Sequence, residues 1–127
     1  MPESFSIWKQ GRFDIKGKLP KVNKNVSLIK GYFNETLPKF LEEHKEKASF
    51  IHIDCDLYSS TKTVFDNIYD RIVPNTVIQF DEYYNYPGWR NHEFKAFQEF
   101  CKKYSVEYEY IGISYTQVAV VIKSIKN

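Results

Sequence analysis

The chain has 127 residues, 43% of them hydrophobic and 17% aromatic, which suits one globular domain with a modest core and excludes both disorder and a second domain. Eighteen Lys and Arg stand against sixteen Asp and Glu, a net charge of +2, which argues against a dedicated nucleic-acid surface. No stretch approaches the roughly 18 apolar residues of a membrane span, and Pro2 and Glu3 stand where a secretory leader needs a basic and then an apolar run, so a cytoplasmic, soluble protein is expected.

Residues 1–25 carry Gly11, Gly17 and Pro20 with little periodicity and are expected to form an irregular entry or cap. The basic run KGKLPKVNKN within them reads as a solvated loop rather than a phosphate-tracking arm. VSLIKGYF reads as a short strand that ends at Gly31. Thr36 is the expected N-cap of a helix whose Leu37, Phe40, Leu41 and His44 share a face, with Pro38 in its first turn.

SFIHID is the next strand, followed by a helix capped by Ser59 or Ser60 and striped by Val64, Phe65, Ile68 and Ile72. Pro74 and Asn75 break that helix, and TVIQFD is a third strand. After the PGW turn, Asn91 is the expected cap of a helix with Phe94, Phe97, Phe100, Cys101 and Tyr104 on its apolar side. VEYEYI and QVAVVIK follow as an antiparallel pair at the sheet edge. Strands alternating with amphipathic helices predict an α/β fold with parallel pairing, whose binding crevice lies beyond the carboxyl ends of the strands.

Gly31, Asp54 and Asp81 each stand at or just past such an end. Asp54 and Asp81 would finish neighbouring strands about 4.8 Å apart, and Glu82 follows directly, so these acids can converge. Acids crowded in one crevice raise each other's pKa, and a hard cation such as Mg²⁺ relieves that repulsion while leaving room for a substrate. Solvated loop acids are the competing reading, as is a loop-capping role for Asp54. Asp56 is read as orienting the Ser59–Thr61 turn, and His52 as a satisfied core or interface histidine. His92, in a loop able to cover the crevice, is the better candidate base. Cys55 reads as a packing residue, and Cys55 and Cys101 are too few for a disulfide framework or a zinc site.

FIHIDCDLYSST, its spacing to VIQFDEYYNYPGW, and the upstream LIKGYFNETLP together resemble the macrocin O-methyltransferase (TylF-like) family, and the similarity extends to GRFDIKGKLP. The resemblance implies a class I, Rossmann-like sheet, S-adenosylmethionine as donor, Mg²⁺ as a second cofactor, and a sugar or glycosylated small molecule as acceptor. It implies Asp54, Asp81 and Glu82 as metal ligands, with Glu82 where the family more often has aspartate. It also implies Gly31, Phe33 and Asn34 at the adenine end of the cofactor pocket, with core packing as the other reading of Phe33. Tyr58, Tyr83, Tyr84, Tyr86 and Trp89 become the acceptor wall or lid, with loop anchoring as the alternative, and Asp54 or His92 the base that completes deprotonation.

The chain departs from the family in one large respect. The glycine-rich cofactor loop and the acid after the second strand are both missing, since no strand precedes Gly11. The expectation is therefore a partial domain over 1–127 that corresponds to the C-terminal portion of the fold, lacks its first two strands, and keeps a mostly parallel sheet with an antiparallel C-terminal edge pair. Such a chain should bind S-adenosylmethionine poorly alone and should present a raw sheet edge, which points to a homodimer or a missing N-terminal segment. Two alternatives remain: a glycosyltransferase that uses Asp54-Cys55-Asp56 as its D-x-D, and a degenerate, non-catalytic partner domain.

Overall fold

A computed structural model describes residues 15–126. Most of the expected entry segment, including Gly11, lies outside the described residues; residues 18–30 carry one turn and no helix or strand. In chain order the elements are α1 (Phe33–Glu43), β1 (Phe50–Ile53), α2 (Tyr58–Ile68) running into a 3-10 turn (Tyr69–Arg71), β2 (Val77–Phe80), a second 3-10 turn (Trp89–Asn91), α3 (Glu93–Lys103), β3 (Glu107–Ser114) and β4 (Gln117–Ser124).

The four strands form one sheet in the order β1-β2-β4-β3. Only β1 and β2 are parallel, with Ile53 opposite Phe80. β4 runs antiparallel to both neighbours, pairing Ile78 with Val120 on one side and Tyr110 with Val120 on the other. The expectation of a mostly parallel sheet is thus corrected. The last two strands are an antiparallel pair, but β4 is an interior strand and only β3 is an edge. The β4 sequence, QVAVVIKS, is dense in β-branched residues as befits a strand with partners on both sides.

VSLIKGYF is not a strand. A lone extended segment has nowhere to place its backbone donors and acceptors, and none of the described strands pairs with it. Val26, Leu28 and Ile29 are accordingly all exposed.

The three helices start elsewhere than their expected caps. α1 begins after Tyr32, α2 after Leu57 and α3 after His92, none of which makes a side-chain cap hydrogen bond. Thr36 lies inside α1 and donates its hydroxyl to the Tyr32 carbonyl at 3.0 Å, and Ser59 and Ser60 lie in the first turn of α2. Pro38 consequently falls beyond the first turn of α1.

α2 and α3 cover one face of the sheet. Ile53, Ile78, Phe80, Val118, Val120 and Ile122 meet Phe65, Ile68, Phe97 and Phe100, all of them buried. Phe65 stacks on Phe100 with ring centroids 4.6 Å apart, and Phe80 meets Phe97 at 4.9 Å. Each such ring removed from water stabilises the fold by about 1.5–3 kcal/mol. Alternate residues point the other way: Phe50, Val77, Gln79, Ala119 and Val121 are exposed or half-buried.

α1 contributes no fully buried residue. It is tied down at its C-terminus by Arg71, which is itself buried and donates to the Leu41 carbonyl at 2.8 Å and the His44 carbonyl at 3.2 Å. These are carbonyls that a helix end leaves without partners, so one guanidinium finishes the helix and fastens it to the body.

Candidate functional site

Parallel pairing of β1 and β2 makes the two chains leave the sheet side by side. The Asp81 amide donates to the Ile53 carbonyl at 2.9 Å, which sets Asp81 beside Asp54 at the carboxyl end of the sheet. Asp56 follows in a left-handed conformation, φ 62°, and the Leu57 amide closes a tight turn onto the Cys55 carbonyl at 2.7 Å. That turn swings the chain into α2, and a short polar residue tolerates it better than most.

The acids share one electrostatic field. Burial, then the charge on Asp81, raises the pKa of Asp54, and nearby His52 opposes the rise. Burial, then Asp54 and Asp81, raises Asp56. Glu82 is pushed up to about 7, by burial first and then by Asp81, Asp56 and Asp54. The acids at the strand ends therefore raise one another's pKa, and Asp56 takes part in this as well as leading into the following turn.

Asp81 is held from the far side of the sheet. Gln117 Nε2 donates to its Oδ1 at 2.7 Å, and the Thr116 hydroxyl donates to its carbonyl at 2.9 Å. His52, expected as a core or interface histidine, does not lie in the core: its side chain is 45% exposed, with Nε2 at 4.0 Å from Asp81 Oδ1. The reason is its position on the open face of an edge strand. Cys55 is half-buried against the core and its thiol is raised to about 12, which makes it a packing residue and not a thiolate nucleophile.

The donor chemistry suits Mg²⁺, which prefers hard carboxylate oxygens. The side chains do not close around one point: among the described residues no group of three or more His, Cys, Asp or Glu is arranged to hold a metal ion.

A groove of about 480 Å³ runs from α1 to this crevice, lined by Phe33, Leu37 and Leu41 on one side and Ile51, Ile53 and Asp54 on the other. Phe33 thus shares a groove with Asp54. Asn34 faces a smaller hollow with Ser59, Ser60 and Thr63 of α2. Gly31 has φ 140°, and a Cβ there would stand 2.7 Å from Thr36 Cγ2, so glycine is required to turn the chain into α1.

The aromatic residues divide. Tyr84 and Trp89 line a shallow hollow of about 190 Å³ with Phe94, Tyr110 and Ile113. Tyr83, expected on the acceptor wall, is only 3% exposed; its ring packs on Phe80 and Phe94 and its hydroxyl meets Tyr110 Oη at 2.8 Å. Tyr58 turns to α3, donating to Glu99 Oε2 at 2.6 Å with Lys95 over its ring. Tyr86 donates to the Glu82 carbonyl at 3.0 Å, and His92 stacks on its ring at the start of α3.

Sequence reasoning missed Glu93. It is fully buried, and its Oε2 accepts the Glu82 amide N–H at 2.7 Å. Burial raises its pKa to about 8, against the lowering effect of the Glu82 and Cys55 amides. An acid in the first turn of a helix is ordinary, so nothing in the sequence distinguishes this one.

Comparison with protein families matches the macrocin O-methyltransferase (TylF) model over residues 14–120, nearly the whole chain and all of the acid-bearing loops. The chain belongs to the TylF family. It is therefore a member of a methyltransferase family, as the motifs of β1 and β2 imply. The mixed α/β fold is similar to two structures of CalS11, one described as a TDP-rhamnose 3'-O-methyltransferase of calicheamicin biosynthesis and the other as calicheamicin methyltransferase. Each is 22% identical with a TM-score of 0.58 over 73% of this chain. This TylF-family chain spans only 39% and 36% of their respective lengths. No curated protein sequence matches it significantly. Among the described residues, no helix is long and apolar enough to cross a membrane.

Proposed function

We propose that the chain is the carboxyl-terminal part of an S-adenosylmethionine-dependent, Mg²⁺-assisted O-methyltransferase acting on a sugar hydroxyl. The observation that carries this reading is the crevice itself: in a TylF-family chain, parallel β1 and β2 deliver Asp54, Asp56, Asp81 and Glu82 into one field, beside a groove that reaches Phe33. The family match favours it over the D-x-D glycosyltransferase alternative.

In this reading Asp54, Asp81 and Glu82 hold the cation, which when bound lowers the pKa of an acceptor alcohol. The residues of the chain do the rest. Phe33 and Asn34, presented by the Gly31 turn, form one wall for the donor. Tyr84 and Trp89 offer apolar faces to a sugar ring, and Tyr83 supports them from the core. Asp54 or His92 accepts the hydroxyl proton, which requires only hydrogen-bond reach and a pKa near the working pH. The donor's methionine end needs a glycine-rich turn at a helix N-terminus, which a preceding segment or a second chain would supply.

Calorimetric titration tests this. Mg²⁺ is expected to bind the chain and to bind Glu82→Gln less well. S-adenosylmethionine is expected to bind weakly to the chain alone and strongly once the amino-terminal portion of a TylF-family methyltransferase is added. Silence towards both ligands, with and without that portion, would leave a non-catalytic partner domain as the better reading.

A further inference from the structure

Glu93 opens α3, yet it does not serve α3. The N-cap position makes no side-chain cap bond, and the buried Glu93 carboxylate accepts instead from the Glu82 amide of the β2 loop at 2.7 Å. Its second oxygen, Oε1, makes no hydrogen bond. Full burial of a carboxyl group is unfavourable without partners, and the Glu82 amide is the partner that the structure gives this one. The helix behind it is rigid, since Ala96, Phe97 and Phe100 are all in the core.

We propose that Glu93 is a positioning residue: from the first turn of α3 its carboxylate fastens the loop after β2, and so sets where Glu82 stands. This rests on the reading of Glu82 as a cation ligand, and it assigns the placement of that ligand to a residue outside the set. Outer residues that orient metal ligands typically change affinity by about 10–100-fold when removed. Backbone amides are the natural handle, because holding them fixes the loop while leaving the ligand side chains free.

The test uses the full chain and three variants. Glu93→Gln keeps an acceptor oxygen at full reach, Glu93→Ala removes it, and Glu93→Asp keeps the charge but falls one methylene short. Amide hydrogen exchange at Glu82 reads the clamp, and Mn²⁺ binding followed by electron paramagnetic resonance reads its consequence. Gln is expected to behave as wild type in both. Ala and Asp are expected to lose protection at Glu82 and to weaken Mn²⁺ binding about 10-fold or more, while amides of Ile78 and Val120 in the sheet stay protected. Should the Ala variant not fold, the Asp variant decides.

Unchanged Glu82 exchange in Ala and Asp, or a Gln variant as impaired as either, overturns the proposal. So does loss of Glu82 protection with Mn²⁺ binding unaltered. If wild type takes up no Mn²⁺, the cation reading fails, and the exchange data then decide separately whether Glu93 sets the loop after β2.

Discussion

Glu82 carries the clearest signature of the crevice, because three other carboxylates reach it. Its folded pKa of about 7 lies above its ordinary 4.5, so the folded chain keeps a proton that the unfolded chain releases. Stability from this group is therefore undiminished below pH 4.5 and declines as pH rises toward about 7. Glu93, raised to about 8, extends the decline in the same direction. Glu82→Gln should flatten it, so that urea midpoints of the variant change less than wild type between acid and mildly alkaline buffer; an unchanged slope would mean Glu82 ionises freely. In the core, Phe97→Ala should lower stability by about 3–5 kcal/mol, read from denaturant midpoints, because a fully buried ring leaves a cavity that its neighbours fill only in part. At this scale the acids were legible in the sequence, since strand ends place them. Tyr83 and His52 were not: aromatic and polar types alone do not reveal which face of a short strand or loop they take. Glu93 was invisible for a related reason, because its partner, the Glu82 amide, lies on another loop.

The existence of the helices was legible and their starts were not. Apolar spacing marks a buried stripe, whereas Tyr32, Leu57 and His92 begin helices without any side-chain cap, so the usual Ser, Thr and Asn signals pointed a few residues too late. VSLIKGYF shows the converse failure. Its composition favours a strand, but pairing is a property of two segments. α1 is the most weakly attached helix, with Arg71 as its main polar fastening. Arg71→Met should raise amide exchange throughout α1 while leaving α3 and the sheet amides unchanged, a local loosening visible by mass spectrometry. Equal loosening of α1 and the sheet would show instead that the helix is integral to the core.

For the molecule as a whole, the sheet has two free edges among the described strands, β1 and β3, and its face away from α2 and α3 exposes Phe50. Unpaired backbone beside apolar surface favours association. Sedimentation should show concentration-dependent self-association of the chain, and Phe50→Lys should reduce it; a monomer at all concentrations would contradict this. The sequence foretold a raw edge but not the strand order, because hydrophobic pattern carries no information about which neighbour a strand chooses. That order has a consequence for biogenesis. β4, the last of the four strands in chain order, lies inside the sheet, and its Gln117 and the preceding Thr116 seat Asp81. A nascent polypeptide halted after α3 would not be a trimmed version of this protein. It would lack an interior strand of the sheet, so the acidic crevice is not complete until β4 has been made.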